Sequence, residues 1–438
     1  MPGIVAVCVV LGAAHAPTQA ADKQTLNAAD FARAGSPTCG IQEAIDALPA
    51  DGGVVNIPPG NYCLRRSIAL RSRVTLRGAG STTVLTRGKQ AHARLTQPAR
   101  KGDTSVEVET TAGFRIGDEV GLMDDKMRGW YMAHCIIKQV EARRLVFGEP
   151  IVSGHQEGVF TPERNAVVIN YFPFIRANAM HWQAPVREVA ILDLTFDANL
   201  AENPGPWTDF TLAAIHLANV SDAVVRGCVV RGSIADGIGV QGGSDNRVEG
   251  CLVENCRGHG FHPGTSLRGA VFANNVGRSN GGDGLYFCAE VTGITVANNL
   301  FHHNAGHGIG GLGGGGDRFN VVANNVCRAN GSCGIQLTDG RDNVVTGNVC
   351  LDNSQRGAGK FSGILIANTT RSVITGNRCG CEDDKPSQRF GIEETGASDT
   401  NVITGNLCAG NLQGGLAIVG SGTQTAANAG TLVKPSAP

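Results

Sequence analysis

The chain has 438 residues, 61 of them glycine, with 5% aromatic residues and a formal net charge of −1. That composition suits a long, thin core of small β-formers. It excludes a nucleic-acid binder, because there is no basic stripe, no aromatic RNA-stacking motif and no pair of CxxC units with zinc spacing.

Met1 to about Ala21 reads as an export signal, with the apolar run IVAVCVVLGAA followed by small residues in HAPTQAA. The run is too short to span a bilayer, and no other stretch could cross one, so the mature protein is expected to be secreted or periplasmic. Residues 22–94 are assigned to a cap and the first coils. CGIQEAIDALPADGGVVNIPPGNYCL at 39–64 gives an amphipathic helix, a Gly-Gly turn, a strand and a Pro-Pro-Gly turn, and RVTLRGAG follows as the next coil. This segment resembles the opening of the pectate-lyase-like superfamily of secreted β-helix carbohydrate enzymes, in which such a helix plugs the open end of a solenoid. Cys39 and Cys63 are the pair to test for a disulfide in an exported cap.

Residues 95–151 read as hairpin strands with no asparagine corners, an insert that either walls a groove or braces the flank. Coils resume near Val167 and fill 152–420. There the phrases DGIGV, HGFHP, DGLYF, HGIGG, CGIQL, SGILI, FGIEE and GGLAI recur, and their apolar residues Ile238, Phe261, Leu285, Ile309, Ile335, Ile364, Ile392 and Leu416 are spaced 23, 24, 24, 26, 29, 28 and 24 apart. Between them lie AVFANN, ITVANN, NVVANN, NVVTGN, SVITGN and NVITGN, period-2 strands ending at Asn275, Asn299, Asn325, Asn348, Asn377 and Asn406. Asparagine tolerates a left-handed turn and can bond to its counterpart one coil away. The fold expected is therefore all-β, a right-handed parallel β-helix with an N-terminal capping helix and a lateral β insert. Cys327, Cys350, Cys379 and Cys408 recur at one coil position and are expected to be stacked, buried thiols. The tail at 421–438 is expected to be unstructured.

Stacking the phrases locates candidate chemistry. The outward column reads His216, Gly239, His262, Tyr286, Gly310, Gln336, Leu365, Glu393 and Ala417. The column at the start of each phrase reads Asp236, His259, Asp283, His307, Cys333, Ser362, Phe390 and Gly414. An Asp, His, Asp, His ladder thus stands beside His262 and Tyr286. An Asp or His before a tight glycine can also simply bond the turn, which alone would explain Asp236 and Asp283.

RGHGFHPGTSLRGAVFANNVGRSNGGDGLYF at 257–287 resembles the catalytic coils of mannuronan 5-epimerases, which carry YGFDPH and, one coil later, NGLDGF. By position His259 matches that family's catalytic tyrosine, His262 its aspartate, Pro263 its proline and Asp283 the second-phrase aspartate. Gly264 stands where the family has a catalytic histidine. The resemblance implies proton abstraction beside a uronate carboxylate in an acidic polysaccharide, by a lyase or an epimerase. In that chemistry His262 is the expected base, Tyr286 the donor and Arg278 or Arg257 the carboxylate partner, with Asp283 polarising His259 or His262 and Asp236 completing the set. His307, His216 and Gln241 are further expected substrate contacts.

Three alternatives stand beside this. GHG at 258–260, preceded by Cys256, resembles a polygalacturonase phrase. Asp236 and Asp283, two coils and roughly 9 to 10 Å apart, would then serve as a hydrolase pair. A metal could sit on His259, His262, Asp283 and His307. Calcium would need Glu382 with Asp383 and Asp384, or Glu393 with Glu394. No cofactor is assigned, and calcium stays open. A non-catalytic carbohydrate binder would use Trp130, Tyr131, Trp182 and Trp207 for stacking.

Overall fold

The computed structural model describes residues 23–152, 158–382 and 385–433. The expected export signal lies outside them. No helix among the described residues is long and apolar enough to cross a membrane.

Each coil contributes one short strand to each of three parallel sheets, two of thirteen strands and one of eleven. The cause is the period read above. One inward residue per strand stacks on its counterpart a coil away, so Ile215, Ile238, Phe261, Leu285, Ile309, Ile335 and Ile364 form one continuous buried row. Burying each such side chain is worth roughly 1.5–3 kcal/mol, and no coil could bury its own face alone. Cys327, Cys350, Cys379 and Cys408 pair in register as another buried row.

The asparagine corners divide their work between two residues. Asn275, Asn299, Asn325, Asn348, Asn377 and Asn406 form the ladder, each amide donating to the next at 2.9–3.0 Å. The left-handed backbone falls one residue earlier, at Asn274, Asn298, Asn324, Gly347, Gly376 and Gly405. One residue cannot supply both: the turn residue points outward while its successor's amide lies inside. A second ladder through Asn280, Asn304, Asn330, Asn353 and Gln388 stiffens the corner before the site sheet.

At the N-terminal end the helix Ile41–Ala47 closes the solenoid with Ile41, Ala44 and Ile45 in the core. Cys39 and Cys63 are both free, with Cys39 Sγ 3.5 Å from the Cys63 carbonyl oxygen. The lateral insert is an antiparallel six-stranded sheet with its own apolar cluster, and it runs from His92–Arg94 to Val167–Ile169, wider than 95–151. The described part of the tail is not unstructured. Gln424–Ala426 and Leu432–Val433 add last strands to two of the sheets, because the exposed edge of the final coil offers unpaired backbone groups.

Candidate active site

The site lies on the outer face of the sheet that begins at Ile68–Ala69 and continues through Ile175–Ala177, Ile215–Ser221, Ile238–Ser244, Phe261–Gly264, Leu285–Tyr286 and Ile309–Leu312. Its register gives the outward column Arg176, His216, Gly239, His262, and then Tyr286 opposite Gly310. The next outward column holds Ala218, Gln241, Gly264 and Cys288.

The residues that open each phrase cap the coil that follows. Asp236 Oδ1 accepts the His259 N–H at 2.7 Å, and His259 Nδ1 accepts that of Asp283 at 2.9 Å. Asp283 Oδ1 accepts the His307 N–H at 2.6 Å, and His307 Nδ1 that of Cys333 at 3.1 Å. The turn-bonding reading therefore describes one atom of each residue. An imidazole nitrogen that accepts carries no proton, so His259 and His307 are neutral with hydrogen on Nε2. Burial holds both at about 4.

The carboxylates' second oxygens differ. Asp236 Oδ2 lies 2.6 Å from His262 Nδ1, both side chains buried. Burial alone favours a neutral ring, yet the Asp236 carboxylate pushes His262 up to about 9, and His262 in turn holds Asp236 below the usual carboxylate range against its own burial. His262, expected as the base, is therefore protonated near neutral pH and offers a proton. Its Nε2 makes no formed hydrogen bond among the described residues. Asp283 Oδ2 stands over Gly310, where a Cβ would fall on it. Burial pushes Asp283 up to about 7 even though the His307 N–H opposes this. Asp236 is the carboxylate bonded to His262, whereas Asp283, expected beside His259 or His262, has its Oδ2 3.6 Å from His259 Nδ1. Tyr286 stands between these groups, its ring stacked on His259 at 4.3 Å and edge-on to His262 at 5.2 Å.

Other expected contacts are placed elsewhere. Arg278 belongs to the eleven-stranded sheet and pairs with Glu254. Arg257 donates to the carbonyls of Asn203 and Gly205, pinning the loop around Trp207. Gln241 donates to the His262 carbonyl at 3.0 Å and accepts from Thr265. His216 is buried under Trp130 with both ring nitrogens unpartnered among the described residues, held at about 3 by burial. The cover comes from the insert: the Gly129 N–H donates to Asp209 at 2.6 Å, and Trp130 packs edge-on against Phe210, which in turn lies 5.8 Å from His262. The insert thus roofs one end of the site and, through Glu119 bonded to Ser67 and Arg176, also braces the flank. Trp207 packs on His92, whereas Trp182 stays half exposed.

No group of three or more His, Cys, Asp or Glu side chains among the described residues is arranged to hold a metal ion. His259 and His307 commit Nδ1 to backbone. Asp383 and Asp384 lie outside the described residues, Glu393 bonds Ser362 and Arg389, and Glu394 bonds Asn401 and Thr423.

A family model for the right-handed β-helix region matches residues 194–325 and 269–431, more than half of the chain. The chain belongs to the right-handed β-helix family. Among solved structures, this β-helix resembles the A-module of Azotobacter vinelandii mannuronan C-5 epimerase AlgE6, with 17% identity, 94% of this chain and 100% of that chain covered, and a TM-score of 0.57. The AlgE4 A-module gives 17%, 91%, 99% and 0.55. DFA-IIIase from Arthrobacter chlorophenolicus A6 gives 12%, 88%, 87% and 0.53. These likenesses establish the fold. No curated protein sequence matches the chain.

Phe210 and Cys288 were not among the expected site residues, and Trp130 was expected only as a stacking residue of the binder alternative. Trp130 and Phe210 come from segments outside the repeat and carry no periodic signal. Cys288 does: it lies two residues past Tyr286, which in a strand means the same face.

Proposed function

We propose that this β-helix is an exported enzyme that acts on a uronate-containing polysaccharide by removing the proton beside the carboxylate, with elimination or epimerisation as the outcome. The reading rests on one juxtaposition: a histidine held protonated by a buried aspartate, next to a second aspartate that burial raises to about 7 and whose Oδ2 lies 3.6 Å from His259 Nδ1. Asp283 takes the C5 proton. The His262 imidazolium faces the carboxylate and stabilises the charge that develops there. Tyr286 supplies a proton to the glycosidic oxygen when that bond breaks. The names of the epimerase modules agree with this substrate class.

Hydrolysis by an Asp236–Asp283 pair is disfavoured, because both Asp236 oxygens are engaged, one by backbone and one by His262. The test is incubation of the purified protein with alginate, pectate and glycosaminoglycans, following the ultraviolet absorbance of unsaturated uronate and the polymer's proton NMR spectrum beside a His262→Ala control. A new absorbance or altered C5 configuration that the control lacks supports the reading. New reducing ends without either change would replace it with hydrolysis.

A further inference from the structure

Cys288 is the one thiol on the outer face of the site coils. It pairs with Gly264 across one coil spacing, beside the Phe261–Leu285 pair of the same two coils, so the thiol stands on the outer face next to the coil that carries His262. The close approach depends on glycine: a Cβ at Gly264 would lie 2.6 Å from Gln241 Oε1 and 3.1 Å from the Cys288 Cβ. Cys288 is half-buried, while the other cysteines of these coils, Cys228, Cys251 and Cys256, are buried in the core. The thiol interacts with the His262 ring and helps to favour its protonated form. No formed hydrogen bond occupies Nε2, a nitrogen on a side chain that is 6% exposed. Along the same coil, Asp283 precedes Tyr286 and Cys288 follows it, so two proton-transfer groups flank one ring.

We infer that Cys288 is the second proton-transfer residue of the site, giving a proton to the face of C5 opposite Asp283, so that the reaction runs to inversion. This rests on the proposed uronate chemistry. The step balances without a co-reactant. The C5–H bond breaks and its proton goes to Asp283 Oδ2, leaving the electron pair in the enolate of the carboxylate. The Cys288 S–H bond then breaks, its proton forms the new C5–H bond, and the thiolate takes the Nε2 proton of His262. Asp283 loses its proton to water and His262 regains one, restoring the starting state. Asp236 compensates the ring's charge throughout.

Two measurements test this separately from the uronate reading. The first is iodoacetamide labelling of the folded protein, mapped by peptide mass spectrometry with the exposed Cys63 as internal reference. His262→Gln should slow labelling of Cys288 relative to Cys63 by about tenfold or more, because the ring no longer assists the thiolate. An unchanged ratio overturns the pairing whatever any polymer does.

The second is turnover of the active polymer in deuterium oxide. Cys288→Ala should lose inversion by about 100-fold or more while still exchanging the C5 proton through Asp283, and Cys288→Ser should fall between it and the wild type. Inversion at the wild-type rate in both variants overturns the assignment. If the wild type neither exchanges the C5 proton nor forms unsaturated uronate on any polymer, the uronate reading fails, and the labelling ratio alone judges the thiol–imidazole pair; elimination with no inversion overturns the assignment of Cys288.

Discussion

His262 and Asp236 come from adjacent coils and meet with Nδ1 2.6 Å from Oδ2. The same Asp236 holds the His259 backbone through its other oxygen, so one carboxylate fixes both the turn and the His262 ring. An ion pair buried this deeply is costly to desolvate, and losing either partner would leave the other as an uncompensated buried group. Its upward pull on His262 and the burial of Asp283 set the pH behaviour of the site.

Activity should follow a bell in pH. The acid limb is ionisation of Asp283 at about 7, and the alkaline limb is loss of the His262 proton at about 9. Asp236→Asn should move the alkaline limb to lower pH, since the main force raising the ring's pKa is gone. The kcat/KM profile of wild type and variant checks both limbs. An alkaline limb that stays put in Asp236→Asn would contradict the pairing.

Asp283→Asn should abolish turnover yet stabilise the fold. The carboxyl is raised from 3.8 to about 7, so the unfolded chain ionises first, and wild-type stability falls as pH rises across that window. Asparagine keeps an acceptor for the His307 N–H and carries no buried charge. The variant's Tm should exceed the wild type's above neutral pH and match it in acid. A lower Tm throughout would mean that Asp283 is held for the fold.

Gly310→Ala tests the aim of Asp283 without removing it. The new Cβ would fall on Oδ2 and within 2.8 Å of Cγ, with the His307 ring 3.2 Å away on the same side. The carboxylate must swing off the outer face. Turnover should drop about tenfold or more at unchanged secondary structure, read as kcat beside circular dichroism.

Asn325→Ala should cost about 1–3 kcal/mol, because the ladder above and below loses partners inside the core. Its amide donates to the Val296 carbonyl at 2.9 Å and to Asn348 at 3.0 Å, and it accepts from Asn299. The matching change at Asn428, on the last rung, should cost less. Denaturant midpoints for the two variants compare them.

The repeat made most of the architecture legible, since a period-2 strand leaves one face for each residue. The outward column read from the phrases is the one the strands pair, from His216 through Gly239 to His262 and again from Tyr286 to Gly310. Side-chain partners were less accessible. Whether His262 gives or takes a proton depends on an aspartate in the previous coil and on burial, neither of which spacing states. Arg278 looked available because it is cationic and near in sequence, but the next corner of the coil turns it onto another sheet, to Glu254. Trp130 and Phe210 reach the site from the insert and a loop, where no repeat constrains register. Cys288 could have been found by extending the in-out alternation two residues past Tyr286.

The most direct test of proton abstraction is deuterium wash-in at uronate C5, measured by NMR with the wild type and Asp283→Asn in deuterium oxide on each polymer. The wild type should wash deuterium into C5 of one uronate polymer, or remove the C5 proton to leave a C4=C5 double bond, and Asp283→Asn should do neither. Wash-in by both, or cleavage of a polymer by the wild type with neither deuterium at C5 nor a C4=C5 double bond in the product, would contradict proton abstraction.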